Sequence, residues 1–435
     1  MSVSADLPRP GSVETDGDLL ERHARVVSPV LSYYSPLVVE RASGVYLYTA
    51  DRAYLDLGAG IATVNTGHCH PRVVAAAQAQ LERLMHLSVT AHYRPMVELA
   101  ERLAGVLPVG LQMFFFGNSG TEAIEGALKL ARRATGRPMI IAFQGGFHGR
   151  TLGALAATSS QAGYRTGYQP LPAGIFFAPF PSATAPDRVR LDAALAALQS
   201  LFDQVVEPRE VAAILVEPIQ GEGGIIVPPP GFLAHLRELC DRHGIVLIFD
   251  EIQTGFGRTG RMFACQHEGI APDLMALGKG IASGLPLSAI AGRRALMEAW
   301  PPGAHGTTFG GNPVSCAAAI ATLEVLHEEH LVENAAEVGG YLLEELRRIT
   351  AGDPGVADVR GRGLMLGIEL RTADGAPDRQ RALAVRRGCL ERGVLILSCG
   401  HAGHVLRLTP PLVLTRTQAD QALAALDEAL RETLP

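Results

Sequence analysis

Lysine is almost missing from this chain. Of its 38 basic residues only Lys129 and Lys279 are lysines. Arginine serves most charge roles, but guanidinium does not deprotonate in proteins, so any chemistry that needs a neutral primary amine falls to one of those two. Cysteine is sparse as well: six residues, at 69, 240, 265, 316, 389 and 399, with no C-x-x-C spacing. That scatter excludes a disulfide scaffold and implies reduced thiols and a cytoplasmic location. Cys69 stands between His68 and His70, yet Pro71 follows and no second ligand pair is evident, so no metal site is expected. No apolar run is long enough to cross a bilayer. The opening MSVSADLPRPGSVETDGD has no basic segment leading into an apolar one, so no signal peptide is expected. A basic excess is also lacking: the net charge is −6 and the pI is near 6.2, which gives no support for nucleic-acid binding.

What is present is a large apolar fraction, 47% of 435 residues. A chain of that length forms two domains, or one large domain with a lobe. Helix-like and strand-like runs alternate, the mark of an α/β fold. Residues 1 to about 20 are polar and expected to be mobile. Val38 to Leu57 alternates and reads as short antiparallel strands. Pro71 opens a helix to about Leu87, and a second helix covers Met96 to Leu107. Residues 169 to 190, rich in Pro and Ala, read as a surface excursion. The tail after about Leu331 has the same mixed character as the first 65 residues. The expected division is therefore 1–65 with 331–435 in a small domain, and 66–330 in a large one.

The chemistry concentrates between Ile245 and Lys279. Ile245 to Phe249 is an uninterrupted apolar run ending at Asp250, typical of a parallel strand buried on both faces. Asp250 thus falls at the carboxyl end of a strand, the edge where open α/β sheets bind ligands. A second run, Leu274 to Leu277, leads into Gly278-Lys279-Gly280 and places a primary amine at the end of another strand. Gly255, Gly257 and Gly260 spell G-x-G-x-x-G, but no helix follows directly, so a dinucleotide site is discounted.

Other stretches converge on the same edge. After the strand Phe114 to Phe116, Ser119 and Glu122 form a capping-box signature at a helix start. Exposed backbone N–H groups there suit a phosphate, although an ordinary strand-to-helix turn has the same pattern. Phe147 and His148 lie between glycines in a loop after the strand Met139 to Phe143. Glu217 and Glu222 follow the strand Ile214 to Val216.

Taken together, GNSGTEA, FHGRT, EPIQGEGG, DEIQTGFGRTG, LGKGIASGLPL and GTTFGGNP resemble the class III pyridoxal-phosphate-dependent aminotransferases. NTGHCHP and LSCGHAGHVLRL extend the likeness over nearly the whole chain. The resemblance implies fold type I: a large domain with a mixed, mostly parallel seven-stranded sheet and a small α+β domain from both termini. It implies a homodimer with the active site at the interface, a tetramer being the alternative, and pyridoxal 5′-phosphate as cofactor. Lys279 would be the Schiff-base lysine, and Asp250 would pair with the pyridine nitrogen. Gln253 would reach the ring hydroxyl, and Ser119, Gly120 and Thr121 would form the phosphate cup. Thr308 would come from the partner subunit. Phe147, beside His148, and Ile252 would lie against the two ring faces.

Among subgroups the chain is most similar to the 4-aminobutyrate aminotransferases. That likeness implies substrate contacts from Ile61, Arg150, Glu222 and Arg407: Arg150 for a distal carboxylate, Arg407 for an α-carboxylate, and Glu222 to neutralise Arg407 when that group is absent. The expected reaction moves an amino group from an ω-amino acid (4-aminobutyrate, 5-aminovalerate or ornithine-like) to 2-oxoglutarate by ping-pong chemistry. Racemisation or epimerisation is the alternative, since relatives with those activities carry the same cofactor residues. A catalytically silent binding protein would not need Lys279 and Asp250 intact. The segment from His86, HLSVTAHYRPM, departs from the family pattern where relatives shape the substrate pocket.

Overall fold

The computed structural model describes residues 15–181 and 185–434. Its centre is a seven-stranded sheet: β1 Met113–Gly117, β2 Met139–Phe143, β3 Ile175–Ala178, β4 Val211–Val216, β5 Val246–Asp250, β6 Leu274–Leu277 and β7 Ser288–Gly292. The spatial order is β1-β7-β6-β5-β4-β2-β3, with β7 antiparallel to both its neighbours and the other pairs parallel. The residues of β4 to β7 are all buried, which is why these strands read as unbroken apolar runs rather than alternating ones. Each fully buried Leu, Ile or Val contributes about 1.5–3 kcal/mol, so the sheet is a rigid frame.

Register decides what this frame presents. Val216 pairs with Phe249, and Asp250 pairs with Ala276. The carboxyl ends of β4, β5 and β6 are therefore level, and Glu217, Asp250 and the Gly278–Lys279 turn leave them side by side. The loop after β2 emerges at the same edge.

Two smaller sheets flank this frame. Arg41–Ser43, Tyr46–Tyr48 and Ala53–Asp56 form an antiparallel set joined in parallel by Val394–Leu395. Val356–Arg362, Met365–Leu370, Leu397–Cys399 and Val405–Leu408 form a second, antiparallel sheet. Residues from both ends of the chain thus meet in one sheet.

Three expectations are corrected. The excursion at 169–190 contains β3, an edge strand whose Ile175 pairs with Ile140; prolines at 172 and 179 hide so short a strand. Of the N-terminal stretch, residues 1–14 lie outside the described residues. Asp16–Val26 is a helix, capped where Thr15 Oγ1 accepts from Asp18 N at 3.2 Å. The helix opened by Pro71 stops at Leu81 rather than Leu87, because the next segment packs on another loop: Asn312 Nδ2 donates to the Met85 carbonyl at 3.0 Å.

Candidate active site

Lys279 sits two residues beyond β6 with φ of 45°, a left-handed conformation that a lysine adopts only when its surroundings impose it. Among the described residues no hydrogen bond or ion pair engages its amine. Burial, and then the charge of Arg407, bring its pKa down from 10.5 to about 8. A partly neutral amine near physiological pH is a nucleophile and a base.

Asp250 is buried at the end of β5. One oxygen accepts from His148 Nδ1 at 2.8 Å and the other from Ile252 N at 3.1 Å. His148 is itself buried, and Thr158 Oγ1 accepts from its backbone N–H at 2.9 Å. The ring therefore backs Asp250 and orients it. Glu217, also buried, accepts from Phe147 N and from Gly221 N, both at 2.9 Å, and ties the loops after β2 and β4 together. Burial and the nearby Asp250 raise the Glu217 carboxyl to about 7, against the pull of His148.

The helix Gly120–Thr135 starts at the same edge. The Glu122 carboxylate accepts from the backbone N–H of Asn118 at 2.8 Å and of Ser119 at 2.7 Å, and from the Ser119 hydroxyl at 2.9 Å. Burial would raise the Glu122 pKa, but these donors outweigh it and the group is held below its ordinary value. This is the capping box read from the sequence. It leaves the first-turn N–H groups at Gly120 and Thr121 directed outward, where no helical carbonyl serves them. A Cβ on Gly120 would lie 2.9 Å from Ile252 Cδ1, and one on Gly278 would lie 3.6 Å from Gly120 Cα. The helix start at Gly120, Ile252 and the Gly278–Lys279 turn therefore close on one another.

On the substrate side, Arg407 is buried and donates to Glu222 Oε2 at 2.7 Å. Its Nη2 reaches Tyr34 Oη at 3.3 Å, and its Nε has no partner. Arg150 is exposed, with its guanidinium carbon 4.5 Å from the Tyr164 ring centroid and 5.6 Å from that of Phe147. Ile61 is 43% exposed, which rules out simple core packing. It belongs to four consecutive residues, Ala59 to Ala62, with φ between 49° and 64°. Thr308 is exposed and makes no side-chain hydrogen bond among the described residues. Its neighbour Thr307 accepts from Asn118 Nδ2 at 3.3 Å, so the loop lies against the start of the phosphate-binding helix. Tyr34 and Tyr164 were not anticipated. Tyr34 lies in VVSPVLSYYSPLVV, which has neither a helical nor a strand period, and Tyr164 lies between the FHGRT loop and residues 169–190, so neither carries a signal in the sequence. Among the described residues no group of three or more His, Cys, Asp or Glu is placed to hold a metal ion.

Residues 29–430 match the family described as Aminotransferase class-III. The chain belongs to the class III aminotransferases. It is 40% identical over 424 residues to the 5-aminovalerate aminotransferase DavT of Pseudomonas putida, covering 96% of this chain and 99% of that one. It is also 38% identical to an alanine/serine racemase of Pyrococcus horikoshii, covering 96% and 90% respectively. Among solved structures, an (S)-enantioselective omega-transaminase from Thermomicrobium roseum superposes with a TM-score of 0.90 at 32% identity, covering 98% of this chain and all of the other. The mixed seven-stranded sheet is that of fold type I.

Class III aminotransferases depend on pyridoxal 5′-phosphate, and the site fits that group on its own geometry. Gln253 Oε1 is buried with no hydrogen-bond partner among the described residues, an acceptor suited to a donor such as a ring hydroxyl. A buried carboxylate at Asp250 suits a protonated ring nitrogen. A helix start without side chains in the way suits the phosphate, and a free amine lies between them.

Proposed function

We propose that this class III aminotransferase transfers an amino group from an ω-amino acid (5-aminovalerate, 4-aminobutyrate or an ornithine-like donor) to 2-oxoglutarate in a ping-pong cycle. The observation that carries this reading is the Glu222–Arg407 ion pair at 2.7 Å, with Arg407 buried and the pair close enough for its charges to act on Lys279. Paired in this way, Arg407 offers no net charge to a donor that lacks an α-carboxylate. Once Glu222 withdraws, Arg407 is free to bind the α-carboxylate of glutamate in two hydrogen bonds. Arg150 holds the distal carboxylate in both halves, and Ile61 lines the entrance.

When bound, pyridoxal 5′-phosphate supplies an aldehyde that joins amines covalently and a ring that accepts electrons from a carbanion. Ser119, Gly120 and Thr121, with the partner's Thr308, would hold its phosphate. Asp250, backed by His148, would keep its ring nitrogen protonated. Gln253 would meet its hydroxyl, and Phe147 and Ile252 would flank the ring. Lys279 Nζ, neutral above about pH 8, takes the proton from the substrate carbon beside the amine and returns it.

The division into 1–65 with 331–435 and 66–330 belongs to the same proposal, and the shared sheet of strands 41–56 and 394–395 supports it. So does a homodimer. Residues 85–93 pack on 309–312, where Tyr93 Oη donates to the Gly311 carbonyl at 2.8 Å. Together they expose Met85 at 62%, Val89 at 88% and Phe309 at 59%, an apolar surface beside the phosphate-binding turn. Six free cysteines, five of them buried, support a cytoplasmic location.

The experiment is a panel of half-reactions read from the visible absorption of the bound cofactor. 5-Aminovalerate or another ω-amino donor is expected to bleach it, and 2-oxoglutarate to restore it. If every ω-amino donor leaves the spectrum unchanged, the proposal is wrong. The racemase relative favours a second reading, amino-acid racemisation. There, solvent deuterium would enter the α-carbon of recovered alanine or serine without any oxo acid forming.

A further inference from the structure

The geometry points to Tyr164 as a positioning residue that couples the two carboxylate-binding arginines, holding Glu222 against Arg407 through its hydroxyl and supporting Arg150 on its ring. The inference deepens the dual-substrate reading above and rests on it.

Each oxygen of the Glu222 carboxylate has one partner. Oε2 accepts from Arg407 at 2.7 Å, and Oε1 accepts from Tyr164 Oη at 3.4 Å, a long bond to a charged acceptor. The face of the same ring lies 4.5 Å from the Arg150 guanidinium carbon, within range of a cation–π contact. Its edge meets the Phe147 ring at 5.7 Å and 73°. One side chain thus touches both substrate arginines' surroundings and the aromatic residue assigned to the cofactor ring.

Tyr164 is fixed there by its neighbours. Arg150 lies just before the helix Leu152–Ala157, and Arg165 closes the other end of that helix. Its Nη1 donates to the carbonyls of Leu155, Ala156 and Thr158 at 3.1, 3.0 and 2.7 Å. Arg150 thus precedes this short helix, and Tyr164 lies in the turn Ala162–Tyr164 that follows it, pinned to its end by Arg165. Burial, and then Glu222, raise the Tyr164 hydroxyl pKa, so it remains a proton donor at working pH.

The consequence is a bias. Glu222 leaves Arg407 only by giving up the tyrosine as well, so the hydroxyl favours the paired state, the one suited to ω-amino donors. The affinity of a ligand that needs the open state is lowered by the fraction of molecules that are closed. Removing the hydroxyl should then help dicarboxylates relative to monocarboxylates.

The test uses the cofactor-loaded enzyme and two variants, Tyr164→Phe and Tyr164→Leu. Calorimetry gives Kd for glutarate and for valerate, which need no turnover. Half-reactions with 5-aminovalerate and L-glutamate give kcat/KM for each side. In Tyr164→Phe the glutarate-over-valerate preference should rise about fivefold, the loss expected for one weak charge-assisted hydrogen bond. The 5-aminovalerate-over-glutamate ratio of kcat/KM should fall by a similar factor, with both limiting rates within about twofold of the parent. Tyr164→Leu should also weaken both ligands, as Arg150 loses its support. A glutarate-over-valerate preference unchanged in Tyr164→Phe overturns the inference whatever the turnover data show. A parent enzyme inert toward every ω-amino donor overturns the functional reading instead and leaves the calorimetric comparison to decide on Tyr164.

Discussion

The decisive residue, Lys279, owes its chemistry to its surroundings. An exposed lysine stays charged to about pH 10.4. Here enclosure by apolar strands and the buried Arg407 bring the transition to about 8. Because the folded-state pKa is lowered, the amine is charged below that pH and neutral above it. Cofactor-free protein should therefore capture pyridoxal 5′-phosphate with a rate that climbs through about pH 8 and then levels. Stopped-flow absorbance would show it. Lys279→Arg should capture none at any pH, and Lys129→Arg should behave like the parent. A midpoint above pH 9.5 would contradict the assignment. Asp250 could be located from sequence because an apolar run ended there. Its partner His148 lies 102 residues away, and only the fold shows that the histidine backs the carboxylate.

At the scale of elements, the site is joined by contacts between segments that each look ordinary. The helix Gly120–Thr135 is stitched to the Arg150 loop. Thr121 and Thr151 share a hydrogen bond of 2.6 Å between their hydroxyls, and Glu125 Oε1 accepts from Thr151 Oγ1, Gly153 N and Ala154 N at 2.7, 2.8 and 3.1 Å. Gly149 lies in this seam with φ of 131°, and a Cβ there would fall 2.3 Å from Thr121 Oγ1. Gly149→Ala should cost about 3 kcal/mol in thermal or urea unfolding and weaken the cofactor at least about tenfold in titration, through backbone strain and overpacking. Arg258 makes a second joint. It is fully buried and donates to Asn65 Oδ1 at 2.7 Å, Leu364 O at 3.0 Å and the Pro410 carbonyl. Burial lowers its pKa to about 9, against the opposing charge of Asp56. Arg258→Met would strand three buried acceptors and should cost about 3–5 kcal/mol, read as a lowered unfolding midpoint.

At the scale of the whole molecule, the termini fold back on the central sheet and bring Tyr34, Arg386 and Arg407 to its edge. Arg386 Nη2 donates to the Tyr34 carbonyl at 2.6 Å, which ties the N-terminal arm to the C-terminal lobe. The apolar surface of Met85, Val89 and Phe309 lies beside the start of the helix Gly120–Thr135, and a homodimer formed through it would link assembly to cofactor retention. Phe309→Asp places a charge in that surface. In sedimentation velocity it should shift the protein toward monomer, and its cofactor should dissociate more than about tenfold faster, since burying an unpaired charge is unfavourable. A variant that stays dimeric with normal cofactor retention would show that this surface is not the interface.

The amino-acid sequence by itself determined five of the seven strands of the central sheet, the glycine-bearing turns that follow them and a primary amine, Lys279, at the end of one of them. Each is a local consequence of apolar runs, capping residues and composition. It also carried the family, through motifs spread over nearly the whole chain. Only the tertiary structure decided that Tyr164 holds the second oxygen of Glu222, that Glu217 ties two loops, and that Ile61 is held exposed on a left-handed turn. These depend on partners tens to hundreds of residues apart, and on a backbone conformation costing about 1–2 kcal/mol per residue that no propensity favours. Local pattern records which face a residue turns to the core, whereas the meeting of two polar side chains is set by strand register and loop path.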